Sequence, residues 1–216
     1  MLALAYPDDF LPVAGKVRVA SGQKGMLLDF KQGLLSDFYG NDDIVSKSTI
    51  LRLGQCLVRK VQLLHEQGYV HGDVKPSNLV VDTELNLYFV DFGFAHKYRE
   101  REGRHIPDVD PGYFEGTTLY ASQNTIKGCI ATRRDDIESV LYVLVMLFMK
   151  SLPWPSHKEL VKERKLAIKE GKKAVVRRRK ELEDMEILEK FPDFLQEVFL
   201  YVRQLGFSDE PNYAYI

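Results

Sequence analysis

Two short segments of the chain carry polar residues of the types that take part in catalysis. The first is His71–Asn78, with the sequence HGDVKPSN, and the second is Asp91–Gly93, with the sequence DFG. They flank the apolar runs Leu79–Val81 and Leu87–Val90. Short apolar runs rich in Val, Tyr and Phe are typical of strands. We therefore expect two loops that present polar groups beside a pair of strands.

The residue types in these loops suit the transfer of a phosphoryl group. Such a transfer needs positioning, neutralisation of the spread charge by Mg²⁺ and an acceptor for the hydroxyl proton. Asp73 can orient the attacking hydroxyl, and the Lys75 ammonium can meet the phosphate as a point charge. Asn78 and Asp91 offer the hard oxygen ligands that Mg²⁺ prefers. The spacing favours this interpretation over a coincidental pair of polar turns, while His71 is better explained as a packed, hydrogen-bonded brace than as a base.

The composition is that of an ordinary globular protein. The chain has 216 residues, of which 45% are hydrophobic and 28% are charged, enough for one or two domains. Its net charge of -1 gives no reason to expect nucleic acid or membrane as a partner. The longest apolar run, Val140–Met149, is shorter than the roughly 20 residues that cross a bilayer. With Cys56 and Cys129 far apart and no evident leader, we expect an intracellular location, cytoplasmic or nuclear.

The apolar periodicity predicts a fold of the α+β class that is mostly α. Alternating residues on either side of the turn Ser21–Gly25 predict a small β-hairpin. Apolar residues recur at helical spacing from Ile50 to Leu64, with Ser46 or Ser48 as the cap and Gly68 as the stop. Lys97 to Gly116 lacks periodicity and is predicted to be an exposed loop. Further helices are expected near residues 34–39, 133–149, 158–180 and 191–205.

Several motifs that follow in order carry a resemblance to a known family. They are Gly116–Thr125 (GTTLYASQNT), Arg133–Ser139 (RRDDIES) and Ser151–Trp154 (SLPW). Together with the two loops they resemble the catalytic core of eukaryotic-type protein kinases, and specifically the casein kinase 1 family. The resemblance runs from about Phe10 to Phe207–Tyr213, which is similar to that family's end of domain. It implies ATP and Mg²⁺ as cofactors and a protein Ser/Thr hydroxyl as the acceptor.

The resemblance also implies roles for individual residues. The catalytic set would be Asp73, Lys75 and Thr117, with Thr117 bridging the other two. The metal ligands would be Asn78 and Asp91.

The remaining implied roles concern the nucleotide and the support of the catalytic loop. Asp136 would fix that loop from beneath. Leu28 would sit at the gatekeeper position, and the segment beside adenine would comprise Leu28, Asp29, Phe30 and Lys31. By this likeness residues 1–30 are a remnant of the smaller kinase lobe, a β-hairpin with the hinge, and residues 31–216 are the helical larger lobe.

The chain departs from the kinase pattern near its start. A Gly-rich loop and a strand lysine paired with a helix glutamate normally contact the phosphates. The residues ahead of the hairpin are too few to hold three strands and that helix, and Lys16 and Lys24 lack the expected context. We therefore expect weakened catalysis, and two functions stay open: a serine/threonine kinase, or an impaired pseudokinase or scaffold that binds a protein partner. An incomplete gene model, a fragment and a natural remnant are equally open explanations.

Two smaller departures bear on regulation and substrate. Gly72 replaces the arginine that grips a phosphorylated activation loop, so switching by loop phosphorylation is not expected. By the resemblance, Leu119 occupies the position of an arginine that helps the family bind a phosphate on the substrate, and acidic residues precede it. A preference for acidic or primed substrates is therefore not expected. The basic cluster Lys172–Lys180 could be an anion or nuclear-import patch or a solvated helix face.

Overall fold

The computed structural model describes residues 13–18, 24–28, 33–38, 46–82, 84, 86–100, 103–109, 116–154 and 188–216. For residues 13–18, 24–28 and 37–38 the description is limited to the backbone. Across these ranges helices dominate and the strands are short, so the predicted α+β, mostly α class is confirmed. The predictions for Asp29–Lys31, for the charged helix at 158–180 and for the basic cluster lie outside the described residues.

The first described elements form the predicted hairpin. Strand β1 spans Val13–Arg18 and strand β2 spans Lys24–Leu28. They pair antiparallel, with Val13 opposite Leu28 and Arg18 opposite Lys24.

Two more small sheets lie at the two ends of the catalytic loop. Strands β3 (Gly33–Leu34), β5 (Leu79–Val81) and β6 (Leu87–Phe89) form an antiparallel sheet in the order β3-β5-β6. Strand β4 (Tyr69–Val70) pairs antiparallel with β7 (His96–Lys97). The His71–Asn78 segment therefore runs from one sheet to the next.

The helix that leads to the catalytic loop starts and ends at the predicted signals. A short helix, α1 (Leu35–Phe38), precedes helix α2 (Lys47–Glu66). Ser46 caps α2, since its side-chain oxygen accepts from Thr49 N at 3.1 Å. Just beyond the helix, Gly68 takes a left-handed backbone with φ of 82° and turns the chain into β4.

Helix α4 forms the centre of the core. A short helix, α3 (Gln123–Lys127), comes before α4 (Arg133–Met149), which a capping box of Thr132 and Asp135 begins. Most of α4 is buried, and it packs against both α2 and α5 (Asp193–Gln204). An element enclosed on most sides can hold polar residues at its first turn in fixed positions.

Trp154, the last residue of the SLPW motif, lies in the core. Its side chain is 5% exposed and its ring lies against Tyr142 and Phe191. The indole Nε1 donates to the Leu119 carbonyl at 3.0 Å. This bond ties the Leu119 segment to the core.

The segment after the DFG motif is more ordered than its sequence predicted. After β7 the chain makes a narrow turn, in which Arg99 and His105 form an isolated antiparallel β-bridge and Ile106 N donates to Tyr98 O at 3.0 Å. Tyr98 is 1% exposed, and its hydroxyl donates to the His65 carbonyl at 2.7 Å. The other described residues of this segment are irregular and mostly exposed, as predicted. The burial of Tyr98 was not predicted, because it depends on the remote His65.

No helix in the described part of the chain is both long and apolar enough to span a membrane.

Candidate active site

Three predicted catalytic side chains meet at the loop between β4 and β5. The Asp73 carboxylate is buried, and its Oδ2 accepts from Lys75 Nζ at 2.6 Å. Its Oδ1 accepts from Thr117 N at 2.8 Å. Lys75 Nζ also donates to Thr117 Oγ1 at 2.7 Å. Thr117 therefore contacts both members of the Asp73–Lys75 ion pair.

Asn78 completes the surroundings of Asp73. It lies in a short 3₁₀ turn, Pro76–Asn78, that leads directly into β5. Its Nδ2 donates to the Asp73 carbonyl at 3.0 Å and to Asp73 Oδ2 at 3.2 Å. An ionised carboxylate accepts at about four lone-pair positions. Lys75, Thr117 and Asn78 supply three donors, which leaves room for a further donor such as a hydroxyl.

The β5–β6 pairing brings the second loop to the first. Leu79 pairs with Phe89, and Val90 N donates to the Asn78 carbonyl at 2.9 Å. Asp91 is the next residue, so Asn78 and Asp91 emerge at the same end of the hairpin. Asp91 is exposed and has a left-handed backbone with φ of 59°. A residue with a side chain pays about 1–2 kcal/mol for this conformation, and such strain clusters at functional sites.

The oxygen atoms in this region suit the coordination of a magnesium ion shared with a nucleotide. Because the Asn78 amide nitrogen faces Asp73, the amide oxygen is the atom left to act as a ligand. Asp91 adds an exposed carboxylate. Within the described residues no three His, Cys, Asp or Glu side chains form a metal-binding cluster. Mg²⁺ is usually held by one or two carboxylates plus substrate phosphates and water, so a sparse set of oxygen donors is compatible with it.

Asp136, in the first turn of α4, holds the catalytic loop from below. Its Oδ2 accepts from His71 N at 2.7 Å and its Oδ1 accepts from Gly72 N at 2.9 Å. His65 Nε2 lies 3.0 Å from the same Oδ2. Burial works to raise the pKa of Asp136, but the hydrogen bonds from His65 and the His71 backbone, with the nearby histidines, lower it overall. The backbone of the loop is thus fixed by hydrogen bonds to the buried, ionised Asp136 carboxylate.

Two glycines allow the loop to pack this closely. Gly72 has φ of 76°, and a Cβ there would lie 2.9 Å from the Phe94 carbonyl oxygen. Gly116 has φ of 98°, and a Cβ there would lie 2.9 Å from the Gly72 carbonyl oxygen. In this conformation Gly72 has no room for the arginine common in kinases unless Phe94 moves.

His71 takes the packed role predicted for it. The residue is 0% exposed, and its ring centroid lies 4.7 Å from that of Phe89 and 5.2 Å from that of Phe92. Its Nδ1 accepts from Asp73 N at 3.3 Å. Burial lowers the pKa of His71. The neutral ring braces the loop from inside.

Sequence reasoning missed the partners of Asp136 on its far side. His65 and Tyr213 touch through His65 Nδ1 and the Tyr213 hydroxyl, 2.7 Å apart, although 148 positions separate them. Tyr213 lies in the Phe207–Tyr213 segment that resembles the family's end of domain, but neither that segment nor the predicted helix around His65 indicated this contact. The predicted nucleotide-binding residues remain predictions, because Leu28 is described by its backbone alone and Asp29–Lys31 lie outside the described ranges.

Comparison with known proteins points to the same family as the order of the motifs. The protein kinase domain model matches residues 21–204. A probable casein kinase I homolog of Encephalitozoon cuniculi (strain GB-M1) is 36% identical over 174 residues, covering 79% of this chain and 55% of that protein. A second homolog from the same organism is 30% identical over 176 residues, covering 79% of this chain and 52% of that protein. The chain spans about half the length of these curated relatives. With the kinase model matching most of its residues, the chain belongs to the protein kinase domain family and is casein kinase 1-like.

Proposed function

We propose that this chain transfers the γ-phosphoryl group of ATP to serine or threonine hydroxyls of a protein. The observation that carries the proposal is the contact set of Asp73, whose carboxylate binds Lys75 Nζ at 2.6 Å and Thr117 N at 2.8 Å. A fixed carboxylate beside a fixed ammonium provides an acceptor for a hydroxyl proton and a positive charge for the phosphoryl oxygens.

Each of the three side chains has a separate task. Asp73 accepts the hydrogen bond of the attacking hydroxyl and orients its oxygen. The Lys75 side chain is 20% exposed against 2% for that of Asp73, so Lys75 is the more accessible of the two to a phosphate. Thr117 Oγ1 accepts from Lys75 Nζ and limits the positions that the ammonium can take.

Asn78 and Asp91 would hold Mg²⁺ through their oxygens. When bound, Mg²⁺–ATP supplies the phosphoryl group and neutralises the charge on the β- and γ-phosphates. The adenine side is proposed to involve Leu28, Asp29, Phe30 and Lys31, by family resemblance alone.

We further propose that the acceptor protein needs no phosphate already in place. Leu119 is partly buried and packs against the core, and Trp154 holds its carbonyl. Asp108, on the preceding described segment, is exposed and negative. An apolar side chain in this position offers no charge to a priming phosphate.

The test is phosphate transfer from labelled ATP to a generic unphosphorylated protein in the presence of Mg²⁺. Asp73→Asn should lower the rate at least about 100-fold, the lower bound for a lost acid–base group. Asp193→Asn is the matched control, since it makes the same change on an exposed residue of α5 and should leave the rate unchanged. If the unmodified chain transfers no more phosphate than Asp73→Asn, the enzymatic proposal fails. A partner-binding module would then be the better description.

A further inference from the structure

We propose that Tyr213 is a positioning residue for the catalytic loop and acts through His65 and Asp136. Its hydroxyl starts a chain of hydrogen bonds that ends on the backbone N–H groups of His71 and Gly72. The structural part stands by itself, and the effect on rate rests on the proposed phosphoryl transfer.

The contacts form one continuous path. The Tyr213 hydroxyl lies 2.7 Å from His65 Nδ1, and His65 Nε2 lies 3.0 Å from Asp136 Oδ2. Asp136 accepts from His71 N at 2.7 Å and from Gly72 N at 2.9 Å. Gly72 directly precedes Asp73. Two polar side chains thus lie between Tyr213 and the loop that carries the acceptor carboxylate.

When His65 is neutral, one arrangement of protons satisfies every member of the path. Asp136 is ionised and can only accept, so His65 must carry its hydrogen on Nε2. Burial lowers the pKa of His65, which keeps the ring neutral and leaves Nδ1 as an acceptor. The Tyr213 hydroxyl is then the donor to Nδ1. Tyr213 thereby selects the histidine tautomer that can donate to Asp136.

Other contacts hold the segment that carries Tyr213, independently of His65. Arg133 Nη2 donates to the Ser208 carbonyl at 2.6 Å, and Arg134 Nη1 donates to the Leu205 carbonyl at 2.7 Å. Asn212 N donates to the Tyr201 hydroxyl at 2.7 Å. Removing the Tyr213 hydroxyl should therefore change the hydrogen-bond path and leave the segment bound.

Tyr213→Phe removes the hydroxyl and keeps the aromatic ring, so it tests the hydrogen-bond path with little change in packing. The variant leaves His65 Nδ1 without its donor, so the imidazole can turn and its bond to Asp136 weakens. Amide hydrogen exchange at His71 and Gly72 should then speed up about fivefold to tenfold, the factor for one lost hydrogen bond. Tyr215→Phe is the matched control, because Tyr215 is 51% exposed on the same segment and should leave these two amides unchanged.

Kinetics supply the second readout. In Tyr213→Phe, kcat should fall about fivefold to tenfold while KM for ATP and for the protein acceptor stays within about twofold, because orientation of Asp73 is disturbed and binding is not. Exchange in the middle of α4, for example at Val143, should match that of the unmodified chain.

Each alternative result has a definite meaning. Unchanged exchange at His71 and Gly72 overturns the proposal, and so does an equal rise at Val143, which would indicate general destabilisation. Faster exchange with an unchanged kcat overturns the catalytic part. If the unmodified chain shows no phosphate transfer but Tyr213→Phe still releases the two amides, the positioning path stands and the proposed function fails.

Discussion

Acidification should destabilise this protein through two buried histidines. His65 is 1% exposed and His71 is 0% exposed, and burial lowers the pKa of each below its ordinary value of 6.5. Because the folded-state pKa values lie below the unfolded one, the unfolded chain binds more protons at mildly acid pH. The contribution of both histidines to stability is complete above pH 6.5 and is lost as the pH falls.

The size of the effect follows from the unfolded-state titration. At a pH about one unit below the unfolded pKa, an unfolded histidine is protonated by roughly ten to one. If the folded ring stays neutral, this costs about 1.4 kcal/mol for each histidine and about 3 kcal/mol for both. Burial raises the pKa of Asp135, and this group has the opposite sign because the folded state holds its proton longer. The loss for the whole protein is therefore expected between about 1 and 3 kcal/mol.

A difference between variants isolates the histidine contribution. The assay is urea unfolding at about pH 5.5 and about pH 7.5, with the free energy of unfolding taken from midpoint and slope. The unmodified protein should lose stability at the lower pH, and His65→Gln should lose less, by up to about 1.4 kcal/mol, because one titrating group is gone. Equal pH dependence in the two proteins would refute the reasoning, whatever their absolute stabilities.

Three further substitutions test individual features. Gly72→Ala should lower the free energy of unfolding by about 2–3 kcal/mol, because alanine disfavours the left-handed backbone and its Cβ would clash with the Phe94 carbonyl. An unchanged midpoint of urea unfolding would contradict this. Asp91→Gly should keep stability within about 1 kcal/mol, because relief of strain offsets the entropy of glycine, while Mg²⁺-dependent phosphate transfer is lost. Transfer at the normal rate would exclude Asp91 as a ligand. Ser46→Ala should lower the free energy of unfolding by about 1 kcal/mol, since Thr49 N loses its capping hydrogen bond. An unchanged melting temperature would contradict the capping role.

Much of the architecture could be predicted because its causes are local. Helix α4 spans Arg133–Met149, as its apolar run and the polar residues at its start predicted. Helix α2 begins after Ser46, one of the two predicted caps, and the hairpin β1–β2 lies where alternation predicted it. Caps, turns and periodicity depend on neighbours within a few positions, so the sequence contains the whole signal.

The two polar loops were also recognisable in the sequence. Asp73, Lys75 and Asn78 lie within six positions, and a short loop between two strands brings them together. The neighbouring apolar runs predicted the two strands, and their antiparallel pairing in the structure places Asp91 beside Asn78. The likeness to kinases then named Thr117, which the residues alone did not.

The tertiary structure decided how those groups are held, because their supports come from remote parts of the chain. Thr117 N binds the Asp73 carboxylate across 44 positions, and Tyr213 binds His65 across 148. The narrow turn after β7 likewise depends on Tyr98 being buried against His65. Residue types and their order determined which chemistry the loops could perform. The distances of that chemistry depend on packing between α2, α4 and the segment around Tyr213, and no local pattern encodes such contacts.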